Sequence, residues 1–401
     1  MKKIPLKILE KDEIDERDGS RDSQGNASWL EIRIPEALAY LLRNRASQSW
    51  LVGGAVRDWL LNKEPQDFDF LLAGMDYQQL KTRLPGVKKA GSSFPVLLYQ
   101  GFEINLLSNS QPLSRELSRR DFTVNSLAVD LQDGRIRDPE GGFFDIKKKY
   151  LQAIPGSLQA DPCRLYRGCR MLAEHPGFEL TEFTRTAFRK ISRERLLEVA
   201  GERIHQELTR VLTSRKPEMF FTTLLQAEKI DVHFPALADK YLQGCWRLKK
   251  LRKFTSRLDM AFAALVLDLA LSSAEFIDTW EKNITLPAKW LTAARLAGEL
   301  LDILRSWRSQ PAEKILELQE RVERASFSLE DLIFLAVTED LRVKDAGTAW
   351  DFIIDYQRLA DILAEMEQEV AGADLLKVME SGPELGEKLR QQRIKWLNKH
   401  L

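Results

Sequence analysis

Only three cysteines occur in 401 residues, Cys163, Cys169 and Cys245, with no paired spacing. That argues against a disulfide framework and suits buried thiols in a reducing, cytoplasmic setting. Histidine is nearly as scarce. His175, His205, His233 and His400 are scattered without metal-ligand spacing, so zinc chemistry and a Ser-His-Asp triad find no support. Net charge is lacking as well: 60 basic and 60 acidic residues cancel, and any affinity for nucleic acid must come from local clustering. No apolar run approaches the ~20 residues of a membrane span. The best candidate, "MAFAALVLDLAL", is short and carries Asp268. The opening "MKKIPLKILEKDEIDERDG" has no apolar core of signal-peptide length.

What is present changes character along the chain. Residues 1–28 are charged, and "DERDGSRDSQGNAS" is poor in apolar residues, which predicts a mobile tail. "IPEALAYLLRNRA" predicts a short amphipathic helix beginning near Pro35. From Trp50 to about Tyr150, brief apolar runs alternate with turn signals at Gln100-Gly101 and Asp133-Gly134. This texture predicts an α/β head over 29–150. From about Asp161 the pattern becomes long helical periodicity with few glycines. An all-α remainder is expected, with a neck over 151–225 and a body and tail over 226–401. Trp246, Trp280, Trp290 and Trp307 read as core of that helical part.

The stretch "LVGGAVRDWLLNKEPQDFDFLLAG" concentrates the chemistry. In a strand, residues two apart share a face, so Asp67 and Asp69 project together while Phe68 and Phe70 face the core. Two such carboxylates repel unless a cation lies between them. A hard divalent ion with oxygen ligands fits, magnesium carrying a nucleoside triphosphate being the usual case. Exposed acids at a strand end would give the same pattern. Gly53 and Gly54 follow an apolar run and precede the helical "AVRDWLLN". Glycines there let backbone N–H groups approach phosphate oxygens at a helix start, with Arg57 one turn on. The alternative is a tight turn with Arg57 paired to a nearby acid, Asp58 being its neighbour.

Taken together, "GGAVRDWLL" followed by "DFDF" resembles the signature of the tRNA nucleotidyltransferase and bacterial poly(A) polymerase family, of the polymerase-beta-like superfamily. Three further blocks are similar to the family's, in order. "GSSFPVLLYQGFEINLLS" is similar to its hairpin with a third carboxylate, here Glu103, which shares a face with Asn105. "LSRRDFTVNSLAVD" matches Arg-Arg-Asp-Phe-Thr-x-Asn-Ala-Leu with Ser126 where alanine is usual. The resemblance implies that Gly53, Gly54, Arg57 and Asp58 serve the triphosphate, that Arg120 contacts the nucleotide and Asp121 its ribose, and that Asn125 fixes the geometry. A helix-capping Asp121 is the competing reading.

"ADPCRLYRGCR" resembles the family's template helix. Asp161 and Arg164 are helical neighbours. An acceptor beside a donor matches the edges of cytosine and adenine, while uracil and guanine present the reverse. Arg167 can still reach the nucleotide; Arg170 should turn toward a neighbouring acid. Asp161 before Pro162 would equally serve as a helix cap.

Departures bear on specificity. Ala160 replaces the family's usual glutamate, and the segment between Glu103 and Arg119 is short, a feature of members that add only two cytidines. Leu267 precedes Asp268 where some relatives carry His-Asp, which speaks against a phosphohydrolase. Residues 147 to 216 hold a local basic excess ("KKK", "RLYRGCR", "RTAFRKISRERLL", "TSRKP") that could meet RNA phosphates. "VAGERIHQELTRVL" resembles the last shared block, Glu202 and Arg203 bracing the neck. The resemblance implies addition of CMP and/or AMP, from CTP and ATP, to the 3′ end of tRNA, with Mg2+ on Asp67 and Asp69 and Glu103 as a third catalytic acid. CC-only addition, A-only addition, poly(A) tailing and a catalytically silent RNA-binding protein remain the alternatives.

Overall fold

A computed structural model describes residues 2–9, 27–44, 48–65, 67–90, 96–108, 111–272, 275–343, 346–370 and 383–401. The chain divides into two compact units, Met1–Gly168 with Gly177–Ser192, and Cys169–Pro176 with Arg193–Leu401. The division therefore falls later than the expected head boundary at residue 150. The reason is a small parallel pairing, described below, that ties residues 179–180 to residues 150–151.

The expected tail is paired where it is described. Strand β1 (Lys2–Leu9) runs antiparallel to β2 (Ala27–Ile34), from Lys2 opposite Ile34 to Leu9 opposite Ala27. "IPLKIL" and "WLEIRI" have the period-two alternation of a ladder; the charge density between them masks it. The rest of the expected tail, residues 10–26, lies outside the described residues. Helix α1 (Glu36–Leu42) starts after Pro35 and buries Leu38, Ala39, Leu41 and Leu42.

The first unit is built on a seven-stranded sheet. Its elements are β3 (Ser49–Val52), α2 (Gly54–Leu60), β4 (Asp69–Ala73), α3 (Tyr77–Arg83), β5 (Lys88–Ala90), β6 (Val96–Tyr99), β7 (Phe102–Leu107), α4 (Leu113–Leu117), β8 (Ala128–Asp130) and β9 (Ile136–Arg137). The strand order is β5-β6-β7-β4-β3-β8-β9. Only β4 and β7 run parallel; the other pairs are antiparallel. The turns foreseen at Gln100-Gly101 and Asp133-Gly134 join β6 to β7 and β8 to β9. One face of the sheet packs Trp50, Val52, Leu71, Leu107 and Ala128 against Leu117 of α4. Leu51, Phe70, Leu72, Ile104 and Val129 point the other way and are equally buried. A sheet covered on both sides gives a rigid frame for polar groups at its strand ends.

The unit continues with α5 (Gly142–Lys148), β10 (Tyr150–Leu151), α6 (Ser157–Ala160), the first half of α7 (Cys163–Glu174), β11 (Glu179–Leu180) and α8 (Glu182–Lys190). Strands β10 and β11 are the parallel pair already mentioned.

The second unit is helical, as expected. It comprises α9 (Arg193–Leu197), α10 (Gly201–Thr213), α11 (Pro217–Gln226), α12 (Ile230–His233), α13 (Tyr241–Leu251), α14 (Leu258–Ser272), α15 (Glu275–Asn283), α16 (Ala288–Arg305), α17 (Ala312–Arg324), α18 (Leu329–Val343), α19 (Ala346–Glu369) and α20 (Pro383–His400). Trp280, Trp290 and Trp307 are buried in it, whereas Trp246 is half-buried under the Lys250 ammonium. Arg247, fully buried, donates to Asp268 at 2.5 Å and to Glu339, so Asp268 serves the packing of this unit. Among the described residues no helix is long and apolar enough to cross a membrane.

Helices α13 and α14 cross at Gly244, where a Cβ would stand 2.1 Å from the Leu265 carbonyl oxygen. Gly244→Ala must push two backbones apart, and a loss of about 1–3 kcal/mol is expected. Denaturant unfolding followed by circular dichroism will show the midpoint falling.

Candidate active site

Residues paired in register share a face of the sheet. The row Ala128, Val52, Asp69, Glu103 crosses β8, β3, β4 and β7. Its first two members are buried and its last two half-exposed, so the acids stand where the apolar face ends. Asp67 is not in the strand. Val52, the last residue of β3, already faces Asp69, and the chain then turns into α2, leaving no partner for position 67. Asp67 is consequently exposed and lies two residues before the β4 ladder. Phe70 is fully buried against the Phe102 ring, and Phe68 is half-buried.

Burial, then the neighbouring Glu103, raises the Asp69 carboxyl, with Asp67 adding to the effect; the Arg120 guanidinium offsets part of it, and the net value is about 6. Gly53 explains how these groups come so close. Its backbone (φ 78°, ψ −136°) suits only glycine. A Cβ there would stand 2.6 Å from Arg120 Nη1 and 3.5 Å from Asp69 Oδ2. The glycine pair thus opens a gap onto a carboxylate and a guanidinium. Arg120 Nη1 is 3.4 Å from the Asn125 carbonyl, and its buried Nε has no hydrogen-bond partner.

A continuous hydrogen-bonded chain runs from α2 to α7. Arg57, 7% exposed, donates through Nε and Nη2 to Asp58 Oδ1 (2.9 and 2.8 Å) and through Nη1 to Asn125 Oδ1 (2.5 Å). The pairing of Arg57 with an adjacent acid, left open by the sequence, is therefore real. The guanidinium nevertheless stays over the glycine turn, since a Cβ on Gly54 would lie 3.5 Å from Nη2. Asn125 Nδ2 donates to Asp121 Oδ1 (3.0 Å), which also accepts from the Phe122 N–H (2.8 Å). Arg167 Nη1 donates to the other oxygen, Oδ2, at 3.1 Å. Burial alone would raise the Asp121 carboxyl, but Arg167 and the hydrogen bonds outweigh it and hold it below the usual value. Asp121, foreseen as a ribose ligand, is thus engaged internally; any ribose contact has to share or exchange these partners.

The template helix is similarly occupied. Arg164 donates to the carbonyls of Arg119 (2.8 Å), Arg120 (3.0 Å) and Ser157 (3.3 Å), and stands 3.8 Å from Asp161. Asp161 accepts from the Cys163 N–H at 3.2 Å, so it also caps the start of α7. Arg170 faces acids, as foreseen: it pairs with Glu207 at 2.5 Å and with Glu174.

Sequence reasoning missed the residues that hold the "RRDFTVN" turn. Thr123 donates to Asp145 (2.5 Å), Ser157 Oγ to the Asp121 carbonyl (3.0 Å), and the Ile154 N–H to that same carbonyl (3.0 Å). These pairs are 22 to 36 residues apart in sequence, beyond any periodic signal. Ser126, the departure from alanine, is buried and donates to the Leu117 carbonyl at 2.8 Å.

Among the described residues no three His, Cys, Asp or Glu side chains converge as a ready metal site. Glu103 is a neighbour by charge, and its Oε1 accepts from Asn105 Nδ2 at 3.0 Å. The Asp67/Asp69 pair still fits a divalent cation. Oxygen donors of this kind suit magnesium, and the raised Asp69 is the mark of negative charge that lacks a sufficient counterion.

A mixed sheet with acids at a strand start, a glycine turn into a helix, and arginines converging beside them define a nucleotidyltransferase. A family described as the poly A polymerase head domain matches residues 49–94 and 99–152, and one described as a probable RNA and SrmB-binding site of polymerase A matches 177–241. The chain is 26% identical to the CCA-adding enzyme of Coxiella burnetii over 378 residues, 87% of this chain and 95% of that one. Its fold is similar to the Bacillus stearothermophilus CCA-adding enzyme in complex with CTP (TM-score 0.69, 20% identity, 92% and 94% of the two chains). It is also similar to the Thermotoga maritima CCA-adding enzyme complexed with tRNA(CCA) (TM-score 0.65, 21% identity, 92% and 93%). The chain belongs to the tRNA nucleotidyltransferase and poly(A) polymerase family.

Two predictions follow from the geometry. The Asp69 carboxyl is raised from 3.8 to about 6 in the fold, so its contribution to stability is present below the lower value and lost as pH rises through the higher one. With divalent cations removed, Asp69→Asn should therefore raise the melting temperature relative to wild type above pH ~7 and lose that advantage below pH ~4. Asn125→Ala deprives both Arg57 and Asp121 of a partner. A loss of about 1–3 kcal/mol is expected, measurable as a lowered unfolding midpoint.

Proposed function

We propose that this protein adds CMP and AMP to the 3′ end of tRNA, synthesising or repairing the CCA end. The 3′-hydroxyl of the RNA attacks the α-phosphorus of CTP or ATP and pyrophosphate leaves. The observation that carries the reading is the meeting of the Asp69 carboxylate and the Arg120 guanidinium at Gly53, a place open to a triphosphate only because that residue has no side chain.

In this reading the α2 turn at Gly53 and Gly54 receives phosphate oxygens on backbone N–H groups. Arg57, oriented by Asp58 and Asn125, supplies positive charge beside them, and Arg120 adds a second guanidinium. Asp161 and Arg164 present an acceptor and a donor to the base edge, with Arg167 beside them, and Asp121 serves the ribose. Asn125 keeps Arg57 and Asp121 in mutual register. Asp67 and Asp69 would hold magnesium, which when bound neutralises triphosphate charge and favours ionisation of the attacking hydroxyl. Glu103, next to Asp69 in the sheet, keeps the local field negative and orients the incoming hydroxyl.

Addition of the two cytidines alone is the second reading, favoured by a connection of only five residues between Leu107 and Leu113. Purified protein incubated with tRNA ending at the discriminator base decides between them. Label from both CTP and ATP supports CCA addition, and label from CTP alone supports the CC-adding alternative. Asp67→Ala and Asp69→Ala should each lower incorporation by at least about 100-fold. Undiminished incorporation by Asp67→Ala would overturn the assigned metal role.

A further inference from the structure

Three aromatic rings that a globular core would ordinarily claim stand in solvent on the first unit. Phe144 is 57% exposed, Tyr150 41% and Phe183 49%. They lie on consecutive packed elements, α5, β10 and α8, joined by the β10–β11 pairing that sets Tyr150 opposite Glu179. Basic side chains are interleaved with them. Lys147 lies over the Phe143 ring (4.5 Å to the centroid) and Lys148 over Phe144 (5.8 Å). The Lys149 side chain runs along Gly177, its Nζ 3.7 Å from where a Cβ would be, and Arg185, Arg189 and Lys190 follow Phe183 on α8. Against these six cations the patch exposes Glu179 and Glu182, the latter 3.4 Å from Arg185.

The patch begins close to the site. The segment leading out of β10 pairs with the "RRDFTVN" turn, Phe122 bridging Ala153 and the Ile154 N–H donating to the Asp121 carbonyl. Tyr150 is four residues upstream, about 13 Å along extended chain. We propose that Phe144, Tyr150 and Phe183, with Lys147, Lys148 and Lys149, form a stacking and phosphate-binding platform for the acceptor RNA strand just behind its reacting 3′ end. This deepens the function proposed above and rests on it.

Charge and texture select the partner. A protein-docking patch gathers its apolar groups at the centre and sends charge to the rim, whereas here each ring has a cation beside it. Aromatic rings interleaved with basic side chains are what a single strand needs, bases stacking while lysines meet phosphates. The likeness of residues 177–241 to an RNA-binding family covers Phe183 and α8. The platform adds Phe144, Tyr150 and the lysines of the head segment, which that likeness does not include.

The test uses the full-length protein and two double variants, Phe144→Ala/Phe183→Ala and Lys147→Glu/Lys148→Glu. Binding of a labelled single-stranded RNA ending in the acceptor sequence is read by fluorescence anisotropy, so it does not depend on catalysis; KM for tRNA and for CTP are measured alongside. The aromatic variant should bind the strand about tenfold more weakly and raise KM for tRNA similarly, with KM for CTP and the melting temperature unchanged. The lysine variant should flatten the dependence of log affinity on log salt by about two. RNA affinity and salt slope within twofold of wild type in both variants would overturn the platform and assign the patch to a protein partner. Weak RNA binding accompanied by equal damage to KM for CTP would overturn it as well, as a disturbance of the fold. Absence of nucleotide incorporation by wild-type protein that still binds the strand would count against the proposed reaction and not against the platform.

Discussion

A carboxylate that is 4% exposed needs several donors to remain ionised, and Asp121 has them from three directions. The Phe122 N–H comes from its own turn, Asn125 from the next, and Arg167 from α7, 46 residues along the chain. Through Asn125 the same carboxylate is bound to Arg57, 68 residues earlier. Removing any one donor leaves a buried charge short of a partner, so the glycine turn, the "RRDFTVN" segment and the start of α7 are held as a single polar cluster. The backbone of Asp121 strengthens this, its carbonyl accepting from both Ser157 and Ile154.

The sheet supplies the complementary constraint. The row that carries Asp69 and Glu103 begins with Ala128 and Val52 under α4, so the acids cannot withdraw without unpairing buried strands. Burial and a like charge raise Asp69, and Arg120 relieves it in part. A site that keeps negative charge under this tension has a standing affinity for cations, whether a guanidinium or a metal. Gly53 leaves the space in which one can approach.

Much of this was legible in the residues, for reasons that can be named. Period-two spacing placed Glu103 and Asn105 on one face and buried Ile104 on the other, because β7 is a regular strand. Helical spacing turned Arg170 away from Arg164 toward acids. Asp67 did not follow its spacing, because a ladder ends where its partner strand ends, and β3 stops at Val52. The β1–β2 pairing was obscured by the charged residues between its strands. The internal engagement of Asp121, Arg57 and Arg164 was not legible either, since each bond joins segments whose approach depends on the whole fold. Ser126 looked like a defect in a motif, yet its hydroxyl closes a buried bond to Leu117.

That internal engagement bears on how a base would be chosen under the proposed function. Arg164 already donates to three carbonyls and Arg167 to Asp121, so a base edge replaces bonds more than it adds them. A replaced hydrogen bond contributes little net energy, about 0.5–1.5 kcal/mol, while a partly buried donor left unmatched costs about 1–3 kcal/mol. Cytosine and adenine permit the exchange; uracil and guanine set donor against donor and acceptor against acceptor at Asp161 and Arg164. Discrimination in such a site comes chiefly from the penalty on the wrong base and only weakly from affinity for the right one. The usual glutamate at position 160 is then less necessary than it seems, because the acceptors that orient Arg164 here are backbone carbonyls of Arg119, Arg120 and Ser157, which Ala160 leaves untouched.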